Sequence, residues 1–511
     1  MRRQARAAPL SREAHRRLVL HNKISPIKHY VLCVTKNEDA NQNSKAHAST
    51  AGLSAVELAA GIKGGAFSPI QVIDDLLDAI NAWEPRLNAF THLDVDGARS
   101  QARIAEAALN SCEELGPLHG VPVTIKNIQA VQGLPNRRGS LLSDDSPADR
   151  DSPLVARLRE AGAIIVGTTT LPEQGWTAVS DSPFSGATHN PWGYGLTSGG
   201  SSSGAAALAG AGCGPLHLGT DGAGSIRLPA HFCGAVGFKP TFGRIPYVPV
   251  PNNGSLSHAG PITRTVPDAA LMYSVMAGAH PLDHTSLPGT PRADIEPGDL
   301  TGMRIAFSPD LGHARVDPEV AAVVESALSA FTAAGASVEQ VTPAWGPKGP
   351  ALERDLWALA VLAYLPPDEA AAAQMDPGLV ACTREYAEFS GLSMIAAQRQ
   401  RIAYAAEVNN WFVEGGWDVL VTPSASVAAF PVGSQRPPHW PQHAWDWLVW
   451  AEFSYPFNLS HGPAISVPAG LTPERLPVGV QIAGPRLADE VVLRVADAFL
   501  AQQPFTEQPP R

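Results

Sequence analysis

The feature that most restricts the fold of this chain is a pair of segments in which small residues crowd around serine hydroxyls. They are Ser198-Gly199-Gly200-Ser201-Ser202-Ser203-Gly204-Ala205-Ala206-Ala207 and Gly219-Thr220-Asp221-Gly222-Ala223-Gly224-Ser225-Ile226-Arg227-Leu228-Pro229-Ala230. Backbone amides approach a bound group closely only where side chains are small, so a turn over Gly222–Ser225 can aim several N–H donors at one point. An oxyanion hole has that requirement. The alternative is a flexible Gly/Ser linker, and the surrounding Ala, Leu and Ile residues oppose it because a solvated linker needs no apolar surround.

The flanking sequence predicts the architecture in which such a turn would sit. Ser54-x-x-Glu57 before Leu58 forms a capping box and a helix start. A second helix starts at Ser68-Pro69, carries Ile70, Ile73, Leu76, Leu77 and Ile80 on one stripe, and is expected to stop at Glu84-Pro85. Gly120–Ile125 is a short β-branched run whose end carries Lys126; a helix follows from Ser152-Pro153, then an apolar strand over Ala163–Gly167. Apolar strands return at Val419–Pro423, Ala464–Pro468 and Val478–Ile482, followed by a helix over Glu490–Leu500. Together these predict an α/β protein with a single large domain, a central mixed and mainly parallel twisted sheet, and helices on both faces.

Composition excludes several other classes. Among 511 residues, 44% are hydrophobic and 17% charged, the profile of a folded chain with a large core rather than a disordered one. With a net charge of −11 the chain gains little from nucleic-acid phosphates. Its distribution is uneven: Arg2, Arg3, Arg6, Arg12, Arg16, Arg17, Lys23, Lys28 and Lys36 face only Glu13 in the first 37 residues. Residues 1–48 are therefore set apart as a basic and flexible extension, residues 49–505 as the folded domain and 506–511 as a tail. The head has no apolar core of a secretory signal, and neither Leu18–Val34 nor Ala205–Gly219 is long and apolar enough to span a membrane. Cys33, Cys112, Cys213, Cys233 and Cys382 are an odd set without metal-ligand spacing, read as small apolar residues in a reducing compartment, which places the protein in the cytoplasm. No metal and no organic cofactor is expected, since H-E-x-x-H, P-loop and dinucleotide patterns are missing from any supporting context.

A G-x-S-x-G pattern at Gly200-Ser201-Ser202-Ser203-Gly204 nominates Ser202 as the nucleophile of an α/β-hydrolase. Such an elbow follows a strand directly, whereas Pro191–Thr197 has the composition of a loop, so this assignment is rejected.

The same segments resemble another family, the amidase signature hydrolases, which use a Ser–cis-Ser–Lys triad. Gly199–Gly204, Gly219–Arg227 and Gly234-Ala235-Val236-Gly237-Phe238-Lys239-Pro240-Thr241 appear in that family's order and near its spacing. Gly120–Asn127 resembles its lysine strand, and Gly260-Pro261-Ile262-Thr263-Arg264 and Asn458-Leu459-Ser460-His461-Gly462-Pro463-Ala464 also fit, so the resemblance spans about residues 50–500. By position it implies Ser225 as nucleophile, Ser201 as the serine after a cis peptide bond, and Lys126 as base. It implies an oxyanion hole from the amides of Gly222, Ala223, Gly224 and Ser225, with Ser202, Thr220, Asp221 and Arg227 in support. A serine hydroxyl is a weak nucleophile until a neighbour takes its proton, and a neutral amine can do so where histidine is absent. Lowering a lysine from about 10.4 to 7–8 corresponds to roughly 3–5 kcal/mol, for which burial is the usual source.

The chain departs from the family pattern in three places: Ala223 stands where a glycine is common, Ser203 likewise, and His461 occupies a spot often held by a smaller or polar residue. A methyl at Ala223 either does no harm, since the N–H stays in place, or narrows the acyl pocket or restricts the turn. Lys239 and Arg227 are expected to pair structurally with carboxylates such as Asp221. Trp440, Trp445, Trp447, Trp450, Phe453, Tyr455 and Phe457 form an aromatic segment that serves either as core or as pocket wall; Trp447, Trp450, Tyr455 and His461 are the candidate pocket residues. The implied activity is hydrolysis of a C–N bond other than a peptide bond, with a small-molecule amide and water as the partners. The acyl-enzyme would form on an apolar, aryl or cyclic amide or a carbamate. A glutamine-hydrolysing component of an amidotransferase is the alternative, opposed by Phe242–Pro249, which departs from the Tyr-Gly-Arg-Val-Ser run of that component. The resemblance also allows a homodimer.

Overall fold

The computed structural model describes residues 49–109, 111, 115–295 and 298–510. The basic head 1–48, with Cys33 and Leu18–Val34, lies outside the described residues, as do Cys112 and Arg511. Ser49–Arg511 is one compact unit. Eleven strands make its sheet: β1 Phe90–Leu93, β2 Pro122–Lys126, β3 Ile164–Thr169, β4 Leu216–Asp221, β5 Val236–Lys239, β6 His258–Thr263, β7 Arg304–Phe307, β8 Ser337–Gln340, β9 Val419–Pro423, β10 Ala464–Leu471 and β11 Pro477–Ala483. Their spatial order is β1-β3-β2-β4-β6-β5-β10-β11-β9-β7-β8.

The α/β class and the mixed sheet match expectation, but the parallel majority does not. Four of the ten pairings are parallel, β2 with β3 and β4, and β7 with β8 and β9. The other six are antiparallel. Part of the cause is the chain's economy: β10 and β11 are joined only by residues 472–476, too few for the crossover that a parallel pair requires. Strand side chains alternate between two cores. Ile165 packs in the cluster that holds Val123, Ile125, Leu218 and Phe238, while its neighbours Ile164 and Val166 face the helices Pro69–Leu87 and Val95–Leu109.

Local signals mostly act as their chemistry requires. Ser54 and Glu57 close the capping box. Helix Pro69–Leu87 runs two residues past Pro85, because a proline in the last turn sacrifices one backbone bond only; Asn88 at φ 51° then ends it. The Glu84 carboxylate accepts from the Ala89 and Phe90 amides just beyond. Gly193–Thr197 is a strand rather than a loop, paired with His189–Asn190 in a small ribbon. The tail lies along the body: Arg475 pairs with Glu507 at 2.7 Å, and Arg86 donates to the Pro510 carbonyl at 3.2 Å. Among the described residues no helix is long and apolar enough to cross a membrane.

One buried ion pair ties these layers together. Arg227, fully buried, donates from Nε and Nη2 to the two Asp221 carboxylate oxygens, each at 2.9 Å. It also donates to the Ser454 carbonyl at 2.6 Å, the Asn458 side chain at 2.6 Å and Gln481 of β11 at 2.7 Å. Removing one member leaves the other charge buried without compensation. Arg227→Leu is therefore expected to destabilise the protein by about 3–5 kcal/mol, read as a shift in the chemical unfolding midpoint. Arg227→Leu combined with Asp221→Asn should recover part of that loss; an unshifted midpoint in the single variant would remove the pair from its bracing role.

Candidate active site

Lys126 ends β2, a strand buried along its whole length between β3 and β4. Its Nζ is held by Ser201 Oγ at 2.8 Å and Thr220 Oγ1 at 3.0 Å. Burial pushes its pKa well below the ordinary lysine value, against a smaller upward pull from the Asp221 charge. Ser201 follows a cis peptide bond from Gly200 and, with Thr220, Gly222 and Ser225, lines one narrow cleft. Gly175, at φ 71°, lies against it: a Cβ there would stand 3.1 Å from Ser201 Oγ.

The turn after β4 is shaped by Asp221. Its Oδ1 accepts from the Gly224 amide at 2.7 Å and its Oδ2 from the Ile226 amide at 3.2 Å. Burial works to raise the Asp221 carboxyl, but the Arg227 charge and hydrogen bonds outweigh it and hold the group well below the usual carboxylate range. Gly224 is at φ 123°, where a Cβ would meet Ser454 Oγ at 2.4 Å, so no larger residue fits. Ala223 has no positive φ; its methyl enters an apolar cluster and its carbonyl accepts from Ser454 Oγ at 2.6 Å. The methyl therefore neither restricts the turn nor enters the cleft.

Several expected residues are placed differently. The Gly224 N–H is engaged by Asp221, which removes it from the expected set of oxyanion donors and leaves the amides of Gly222, Ala223 and Ser225 uncommitted. Ser202 is fully buried; its hydroxyl donates to the Thr220 carbonyl and accepts from the Thr220 amide, both at 3.2 Å. Lys239 bonds to the Pro240 and Gly462 carbonyls rather than to a carboxylate.

The four expected pocket residues stand outside the cleft wall. Trp447, Trp450 and Tyr455 are fully buried core. Trp447 acts one layer back: its Nε1 donates at 3.2 Å to the carbonyl of Trp176, which lines the cleft. His461 is half-buried, stacks on Phe242 at 4.5 Å and makes a polar contact with Arg401 through Nε2; burial and then Arg401 push its pKa down to about 3. The aromatic wall consists instead of Trp176, Tyr247, Trp357 and Tyr364. No local motif marks these four, because each lies in an ordinary-looking loop or helix and meets the others only in the fold. Among the described residues no group of three His, Cys, Asp or Glu converges to hold a metal ion.

Comparison with known proteins places this geometry. The sequence profile of the family described as Amidase matches residues 71–364 and 367–493. An acylamidase of Rhodococcus erythropolis is 38% identical over 471 residues, covering 90% of this chain and 97% of that protein. A glutamyl-tRNA(Gln) amidotransferase component of Salinispora tropica is 34% identical, covering 87% and 96%. The crystal structure of a bacterial aryl acylamidase of the amidase signature family superposes with a TM-score of 0.82 at 29% identity, covering 89% of this chain and 97% of that one. The chain belongs to the amidase family, hydrolases of carbon–nitrogen bonds other than peptide bonds.

Proposed function

We propose that this amidase hydrolyses an apolar, aryl or cyclic amide, or a carbamate, through an acyl-enzyme on Ser225. The observation that carries the proposal is the fully buried Lys126, 2.8 Å from Ser201, in a site that also presents Ser225. Ser225 Oγ attacks the carbonyl carbon while its proton passes to Ser201 Oγ, whose own proton moves to Lys126 Nζ. The amides of Gly222, Ala223 and Ser225 receive the developing oxyanion. Collapse breaks the C–N bond, and the proton returns from Lys126 through Ser201 to the leaving nitrogen. Water then attacks the ester by the same route, releasing the acid and restoring Ser225.

The wall of Trp176, Tyr247, Trp357, Ile128 and Val361 supports a substrate with apolar or aromatic bulk over glutamine. Three buried free thiols, Cys213, Cys233 and Cys382, support the cytoplasm as the site of action.

Two outcomes test this. On a panel of alkyl amide, anilide, carbamate, cyclic amide and glutamine, Ser225→Ala is expected to lower kcat by about 10⁴-fold or more on every member that wild type turns over; survival of activity would sink the nucleophile assignment. Because Lys126 must be neutral and burial lowers its pKa, kcat/KM should fall as the solution becomes more acidic than that lowered pKa, with the acid limb well below the ordinary lysine range. An acid limb at the ordinary lysine value near 10.4 would contradict a desolvated base.

A further inference from the structure

Two adjacent asparagines line the cleft of Ser201 and Ser225, and the protein itself occupies only one of them fully. Asn252 donates from Nδ2 to the Ala360 carbonyl at 2.5 Å and accepts from the Tyr364 hydroxyl at 3.2 Å. Asn253 accepts at Oδ1 from Ser257 Oγ at 2.7 Å, while its Nδ2 has no acceptor among the described residues. Asn253 is half-buried, and this unpaired nitrogen keeps accessible surface, unlike the sealed orphan atoms elsewhere in the core.

Gly222 fixes where that nitrogen stands. A Cβ on Gly222 would lie 2.6 Å from Asn253 Nδ2 and 3.1 Å from the Trp357 ring. Gly222 has no positive φ, so the position requires glycine for space and not for backbone conformation. A Cβ lies about 2.5 Å from its own residue's amide nitrogen, which puts Asn253 Nδ2 within about 5 Å of the Gly222 nitrogen. Two donors that close can reach one oxygen at lengths of about 2.9 Å each. The Gly222 amide is uncommitted, and Gly222, Asn253 and Ser225 line the same confined cleft, with about 40 Å³ of free volume.

The loop that carries Asn253 is also tied to the turn that carries Gly222. Asn458 Nδ2 donates to the Asp221 carbonyl at 3.0 Å and to the Leu256 carbonyl at 3.1 Å. The Leu256 amide donates to the Asn253 carbonyl at 3.2 Å. With Oδ1 taken by Ser257, the carboxamide keeps its amino group toward Gly222. A donor aimed before the reaction begins needs no reorganisation during it.

We infer that Asn253 is a further catalytic residue, whose Nδ2 donates to the oxyanion that the Gly222 amide also receives. The inference rests on the acyl-enzyme at Ser225 proposed above and adds a side-chain donor to the backbone ones. No proton is transferred through Asn253. As Ser225 Oγ adds to the carbonyl carbon, the carbonyl oxygen gains the electron pair of the C=O bond, and the Nδ2 hydrogen bond strengthens with that charge. It weakens again when the carbonyl re-forms and the C–N bond breaks.

Kinetics on the panel amide that wild type turns over fastest test the assignment. Asn253→Ala is expected to lower kcat by about 10²-fold, the scale of one lost oxyanion donor. KM should stay within about twofold, the mark of an interaction made only in the transition state. Asn253→Asp keeps the acceptor for Ser257 and removes the donor. Measured where kcat has levelled off with pH, it should lose at least as much as Asn253→Ala. Activity near wild type in Asn253→Asp would reduce the residue to holding its loop and overturn the assignment. An unchanged kcat in Asn253→Ala overturns it too, as does a raised KM at unchanged kcat. A kcat loss in Asn253→Ala that follows a lowered unfolding midpoint, with both restored in Asn253→Asp, does the same. Turnover that survives Ser225→Ala, or no wild-type turnover of any panel member, strikes the acyl-enzyme instead, and neither result depends on Asn253.

Discussion

The rest of the structure depends on the buried pairing of Asp221 with Arg227. Asp221 ends β4, while Arg227 opens the helix Arg227–Cys233, so the pair closes the turn between them from beneath. The guanidinium uses its remaining donors on Ser454, Asn458 and Gln481, and Asn458 Nδ2 reaches back to Asp221 Oδ1 at 2.9 Å. Residues more than two hundred positions apart are thereby held to one point. Two charges taken out of water gain little net stability by themselves. Their contribution is geometric: with every donor and acceptor satisfied, the turn has one arrangement.

The same carboxylate couples the fold to the base. Lys126 is stripped of water by its strand, which disfavours its charged form; Asp221, nearby and held ionised by Arg227, works in the opposite direction. The balance falls on the side of burial. Arg227 therefore affects Lys126 without touching it, by holding Asp221 ionised and limiting how much of that negative charge is left uncompensated.

Much of this is legible in the sequence because it is written in contiguous residues. The capping box at Ser54, the apolar run ending in Lys126, and the small-residue turn around Ser225 each state their conformation locally, and the structure contains all three. The direction of the strands is not legible, since an apolar run reads alike in parallel and antiparallel neighbours. The aromatic segment misleads for a related reason. Clustering in sequence places Trp447, Trp450 and Tyr455 in one core, but the cleft wall is assembled from Trp176, Tyr247, Trp357 and Tyr364, which come from four separate segments. Gly224 reads wrongly as an oxyanion donor because nothing local reveals that its amide faces Asp221.

Ala223 and Gly224 together show what controls the turn. If small size alone were the requirement, a methyl should be resisted equally at both positions. It is accommodated at Ala223, whose side chain points into an apolar cluster, and blocked at Gly224, where φ is 123° and Ser454 Oγ occupies the place a Cβ would take. Ser454 is held in turn by its carbonyl's bond from Arg227 and its hydroxyl's bond to the Ala223 carbonyl. The need for glycine at Gly224 therefore comes from the same network that orients Asp221. The turn is shaped by a buried charge and its partners, and glycine is kept where that network leaves no room.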